Sequence, residues 1–159
     1  MKEEHITKLK NVWESKNKIL KPIEKKLVID IIDQVASLFS AGNYYYFVTN
    51  FETYKMDFVS DGILNVLGIY PNEFSLEKLF ELLMPEDLEK LHEKEAASMN
   101  FKLNKIPRED ITKYKTVYLL RLKDKNGIFK TILHQAKVIN ITENGKLLQV
   151  LSIYISLIL

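Results

Sequence analysis

The chain has no cysteine, which removes disulfides, thiolate metal sites, cysteine nucleophiles and thiol–flavin adducts together. Charge of one sign is equally scarce: 23 Lys and Arg stand against 21 Asp and Glu, well mixed, for a formal net charge of +2. A surface that tracks phosphates needs basic residues gathered on one face, so direct nucleic-acid binding is not expected, and neither is membrane association. Long apolar runs are missing too. The N-terminus, MKEEHITKLK, has no apolar stretch of signal-peptide type. The most apolar segment, Leu147–Leu159, is shorter than a membrane span and is interrupted by Gln149, Ser152 and Ser156. It reads as a buried strand, and a cytoplasmic location is the expectation.

Signatures of catalysis are also absent. There is no G-x-S-x-G, no P-loop and no H-E-x-x-H. Glu81, Glu86 and Asp87 sit near a predicted cleft, but acids at helix starts serve the helix dipole and the caps. The three histidines, His5, His92 and His134, are far apart. His92 ends an E-x-x-H helix turn, of which a carboxylate-bridged metal site would need a second copy, so it reads as part of a solvated helix face. His134 lies in a strand and reads as a hydrogen-bonded strand residue rather than a haem ligand. No enzyme and no metal site are predicted, and no cofactor is specified.

What remains is a chain of 159 residues with 47% hydrophobic content, enough for one packed domain and a short appendage. Helical spacing of apolar residues runs over Glu3–Leu20, ended by Pro22, and over Ile23–Phe39. Two strands follow, Tyr44–Thr49 and Tyr54–Ser60, with a turn at Asn50–Thr53. Ser60 or Asp61 can cap a short helix over Ile63–Leu67, and Ser75 suits the N-cap of a helix at Leu76–Leu83. Pro85 begins a longer helix from about Glu86 to Leu103, with Glu86 and Asp87 in its first turn. Three more strands, Tyr114–Lys123, Phe129–Ile141 and Leu147–Leu157, are joined by turns at Asp124–Gly127 and Thr142–Gly145.

This order predicts an α+β fold: a five-stranded antiparallel sheet with helices inserted between strands 2 and 3. The last strand carries apolar residues on both faces, Leu148 and Val150 on one, Leu147, Leu151, Ile153 and Ile155 on the other. An antiparallel sheet with one wet face alternates apolar and polar residues, so both faces need cover. The inserted helices cover one. The N-terminal helices are expected to pack on the outer face, and the stripe Ile23, Leu27, Ile31, Val35 and Leu38 is a candidate homodimer interface.

Four stretches carry a resemblance: DFVSDGILNVLGIYPNEF at Asp57–Phe74, LLMPEDLEKL at Leu82–Leu91, YLLRLKDKNG at Tyr118–Gly127 and ENGKLLQVLSIYIS at Glu143–Ser156. In this order they resemble a PAS domain of the PAS-3 type, over about residues 43–157. The departures are Met84 where the family has His before Pro85, Asn126 where it has Asp before Gly127, and Tyr154-Ile155-Ser156 where it ends Asp-Ile-Ser/Thr. A helical lead with Trp13 and an aromatic first strand is similar to the N-terminal sensory part of certain LuxR-type transcription regulators. Those end in a helix-turn-helix, which is not found here. The resemblance implies residues 1–42 as a helical extension, residues 43–159 as a PAS sensory domain, and a role as the input module of a transcription regulator acting through a dimer. The alternative it leaves open is a ligand-free PAS module for protein–protein interaction.

A ligand, if one is bound, belongs between the inner sheet face and the helices of Ile63–Leu103. The candidate liners for a small apolar molecule are Phe47, Phe58, Ile63, Leu67, Phe74, Leu79, Leu83, Leu91, Met99, Tyr118, Leu120 and His134, with Tyr118 and His134 as polar handles. The same residues could pack on one another as a dry core, and only void volume separates the two readings.

Overall fold

The computed structural model describes residues 27–40 and 42–157, with Glu4, Thr7, Lys8, Lys10, Asn11 and Ser15 before them; the side chains of residues 27–30 and 32 are excepted. Most of the predicted helix Glu3–Leu20, with Trp13, lies outside the described residues, as does Ile23. The chain divides into two compact units, Met1–Phe39 and Ser40–Leu159. In the first, helix α1 spans Leu27–Phe39. Ile31, Val35 and Leu38 on it are exposed, while Ala36 is buried.

The second unit is built on five antiparallel strands: β1 (Tyr44–Asn50), β2 (Lys55–Val59), β3 (Lys115–Lys123), β4 (Phe129–Ile141) and β5 (Leu147–Leu157). Their order across the sheet is β2-β1-β5-β4-β3, which places the first and last strands side by side in its centre. Between β2 and β3 come α2 (Ile63–Val66), a 3₁₀ turn at Pro71–Glu73, α3 (Leu76–Leu82), α4 (Pro85–Asn104) and a second 3₁₀ turn at Arg108–Lys113. The α+β class, the five strands and the position of the inserted helices agree with the sequence reading. Among the described residues no helix is long and apolar enough to cross a membrane.

Local chemistry explains the junctions. In the β1–β2 turn the Asn50 side-chain oxygen accepts from the backbone N–H groups of Glu52 (2.9 Å) and Thr53 (3.2 Å). Tyr54 then takes φ 56°, which delays β2 to Lys55. Ser75 caps α3 by accepting from Lys78 N–H at 3.1 Å. Helix α2 has no such side-chain cap. Ser60 turns back to β1 instead, where its hydroxyl oxygen accepts from Tyr46 N–H at 2.9 Å. Gly62 permits that close return: a Cβ there would stand 2.2 Å from the Tyr44 carbonyl oxygen.

Two irregularities decide which residues face inward. Val48 pairs with Phe58, but the next pair is Thr49 with Met56, so Asp57 is an extra residue in β2. Its carboxylate is held by Asn50 Nδ2 (3.1 Å) and Gln149 Nε2 (2.6 Å). On either side of the bulge Met56 and Val59 pack on the inner core, while Phe58 stacks on Tyr46 of the outer face, ring centroids 5.6 Å apart. In β4 and β5 the register shifts between Val138 and Asn140, and again before Ile141. Ile139 and Leu148 are the extra residues, and Leu147 consequently faces inward with Val150 and Ser152 rather than outward with Leu151.

Candidate functional site: a cavity under the aromatic row

On the inner face, four residues stand directly opposite one another across neighbouring strands: Tyr118 on β3, His134 on β4, Tyr154 on β5 and Tyr45 on β1. Tyr118 and His134 stack in parallel, centroids 4.1 Å apart and planes 11° apart. His134 and Tyr154 follow at 5.0 Å, and Tyr154 meets Tyr45 edge-on at 5.4 Å. Phe47 and Phe74 close the cluster against Tyr154 and Tyr45.

Beneath α3 and α4, this face borders a cavity of about 670 Å³. Void volume of this size lies within the range of small-molecule pockets, ~300–1,000 Å³. Helix α4 contributes Leu88, Leu91, His92, Glu95, Met99 and Lys102 at spacings of one, three and four residues, which form one face. Leu76, Leu79 and Phe80 come from α3, Phe51 and Tyr54 from the β1–β2 turn, and Thr49, Thr116, Ala136, Leu147, Val150 and Ser152 from the sheet. The exposed Tyr54, Phe80 and His92 mark the rim.

Of the residues predicted to line a pocket, Phe47, Leu79, Leu91, Met99, Tyr118 and His134 do border this cavity. Ile63, Leu67, Phe74, Leu83 and Leu120 instead interdigitate in the adjoining core, each with 4% exposure or less. Ile63 and Leu67 come from α2 and its C-cap, Phe74 from the end of the first 3₁₀ turn, Leu83 from the C-cap of α3 and Leu120 from β3, where the layers close on one another. Phe58 is a correction of another kind, since the bulge at Asp57 sends it to the opposite face. The prediction passed over Glu95, Lys102 and Tyr154. The first two have a legible signal, because they continue the spacing of Leu88, Leu91 and Met99 along one helix face.

The polar groups of the cavity are unevenly partnered. The Tyr118 hydroxyl donates to the Glu95 carboxylate. Lys94 Nζ lies over the Tyr118 ring, 5.0 Å from its centroid. Ser98 and Thr116 share a hydroxyl hydrogen bond of 2.8 Å. His134 Nδ1 meets the Tyr154 hydroxyl at 2.9 Å, whereas its Nε2 is buried with no partner among the described residues. Burial first, then the charges of Lys102 and Lys94, pull the His134 pKa from 6.5 to about 4, so the imidazole is neutral. Burial holds the Tyr154 and Tyr45 hydroxyls protonated, their pKa values raised above 10. Lys102 is only 7% exposed, and burial lowers its pKa.

No protein-family model matches the chain, and no curated protein matches it by sequence. Solved structures match it in fold. One is a sensory box histidine kinase/response regulator from Burkholderia thailandensis, at 14% identity over 79% of this chain and 83% of that one, TM-score 0.56. Another is a PAS domain from Colwellia psychrerythraea, at 18% identity over 80% and 98%, TM-score 0.55. A third is the N-terminal domain of a diguanylate cyclase with PAS/PAC sensor from Marinobacter aquaeolei, at 16% identity over 71% and 94%, TM-score 0.53. The fold is the PAS fold, the architecture of these sensory domains. At these identities the likeness extends to the fold alone, and the PAS-3 and LuxR-type assignments rest on the sequence motifs.

Proposed function

We infer that the chain is a PAS-type sensory input module that takes a small, mostly apolar molecule into the cavity beside His134. The observation that carries this reading is the cavity itself: a well-packed core of this size leaves few voids larger than a water molecule. The wall is apolar apart from a few convergent polar groups, as small-molecule sites are. No constellation of nucleophile, base and oxyanion donors accompanies it among the described residues, which favours binding over catalysis. A ligand would signal by binding one of two arrangements of the domain better than the other. A transcriptional output, a cytoplasmic setting and the absence of membrane or nucleic-acid contact belong to the proposal through the sequence motifs and mixed charge.

Native mass spectrometry of undenatured protein tests the reading. A copurifying small molecule is expected, and Ala136→Leu, which fills the cavity from β4, should remove it while the fold survives. Undisturbed retention in that variant, or a tightly collapsed, ligand-free interior in solution, would overturn the cavity assignment and leave a ligand-free interaction module.

Self-association is proposed as part of the same function, through the α1 stripe. The exposure of Ile31, Val35 and Leu38 supports it; Ile23 lies outside the described residues and the Leu27 side chain is among those excepted. Removing residues 1–40 should convert a dimer to a monomer by light scattering. An unchanged mass would exclude the stripe as the interface.

A further inference from the structure

We propose that the cavity recognises its ligand through a carboxylate, held between the Lys102 ammonium and His134 Nε2, with an apolar ligand body against Phe47, Leu79, Leu88 and Leu91. The inference rests on the reading of the cavity as a ligand site and adds the chemical class of the occupant.

Two separate unsatisfied groups support it. Lys102 reaches the cavity from the last turn of α4 with 7% exposure, and no hydrogen bond or ion pair joins it to any described residue. Lysine is almost never buried to this degree unless paired. The nearest opposing charge, Glu95, lies two turns away on the same helix face and accepts the Tyr118 hydroxyl. His134, 6% exposed, is the second group. Among the described residues its side chain hydrogen-bonds only to the Tyr154 hydroxyl, at Nδ1, and that hydroxyl has no other acceptor there. With no other acceptor for its proton, the Tyr154 hydroxyl is assigned as donor to Nδ1, which places the imidazole proton on Nε2. The cavity therefore holds two donors without an acceptor among the described residues, and of these His134 Nε2 is fully buried. Lys102 and His134 both line this one cavity, and the proposed group meets both.

A neutral hydroxyl would satisfy one donor and leave the ammonium uncompensated, while a cation would add repulsion. A carboxylate accepts from both and neutralises the lysine. The remaining wall offers hydrocarbon and aromatic surface, so an apolar monocarboxylate is the matching class. It can come from an aliphatic or an aromatic acid.

Calorimetric titration of the full chain with octanoate, phenylbutyrate, octanol and octylamine separates the possibilities. Both acids bearing the shared group should bind, or the acid whose body fits should; octanol should bind at least about tenfold more weakly than octanoate, and octylamine more weakly still. Lys102→Met should abolish that preference. This variant should fold, since it replaces an unpaired buried charge with a side chain of similar length, and its melting temperature should rise. His134→Gln should weaken the acids less than Lys102→Met and leave octanol unchanged. Equal affinity for octanoate and octanol, with no effect of Lys102→Met, would overturn the carboxylate subsite and leave the cavity reading intact. A preference for octylamine would overturn it in favour of Glu95. Binding of none of the four, together with no copurifying molecule, would overturn both.

Discussion

His134 Nδ1 and the Tyr154 hydroxyl, directly opposite on β4 and β5, share a buried hydrogen bond of 2.9 Å in the centre of the sheet. It holds one nitrogen of an imidazole stacked on Tyr118 and facing an apolar cavity. Burial and nearby lysines resist protonation there, and this has a consequence for stability against pH. The folded pKa of about 4 lies below the ordinary 6.5, so between these values the unfolded chain binds more protons than the folded one. Stability is present in full above about pH 6.5 and declines as pH falls toward about 4. Urea midpoints at about pH 7.5 and about pH 5 should differ more in the natural protein than in His134→Gln. Equal slopes in the two proteins would remove His134 from the pH response.

Asp87 and Arg121 join the first turn of α4 to β3. Arg121 donates to the Asp87 carboxylate from its backbone N–H (2.8 Å), Nε (3.0 Å) and Nη2 (2.8 Å), and Met84 N–H donates to the Arg121 carbonyl at 3.0 Å. The bonds from Arg121 hold the Asp87 carboxyl below its ordinary pKa. The contribution is thus present above the unfolded carboxyl pKa and lost as pH falls below it. Asp87→Asn should lower the urea midpoint at neutral pH and flatten the acid limb of the stability profile. Hydrogen exchange at Met84–Leu88 should accelerate in the variant; unchanged protection there would show that the helix start is held by other contacts.

Ser60 makes the buried hydrogen bond that ties the end of β2 back to Tyr46. Ser60→Ala leaves a buried N–H without its acceptor and should cost ~1–3 kcal/mol by chemical denaturation. A cost near zero would mean that water or a shifted backbone replaces the hydroxyl.

Leu67 is fully buried among Ile63, Val66 and Leu122. Leu67→Ala should destabilise the fold by ~2–5 kcal/mol, more than Ser60→Ala, because it removes apolar contacts and leaves a void. The opposite ranking would place the weight of this corner on its polar contacts.

Gly62 faces the Tyr44 carbonyl too closely for any side chain. Gly62→Ala should therefore destabilise although its φ of −55° suits alanine. A thermal midpoint at or above that of the natural protein would show that β1 and α2 separate easily.

Most elements were legible in the linear chain. Strand and helix periods, the Ser75 cap, Pro85 at the start of α4 and the glycines of the last two hairpins placed them to within one or two residues. These signals are local: a capping hydroxyl or a positive φ at Gly127 and Gly145 involves only near neighbours. Strand order was not legible in this way, since no local signal puts β1 beside β5.

What only the tertiary structure decided is which side of each strand faces inward, and what the inner face leaves empty. Alternation along a strand is valid only until a bulge adds a residue, and the bulges at Asp57, Ile139 and Leu148 arise from pairing with a neighbour. They sent Phe58 outward and Leu147 inward against the simple pattern. Void volume is likewise a property of how layers meet: Leu67 and Leu83 fill their space, while Leu79 and Leu91, chemically equivalent, border a cavity. The sequence by itself determined an apolar-lined α+β domain without thiol chemistry. Packing alone brought Lys102, a charge that composition assigns to the solvent, into the lining of the same cavity as His134.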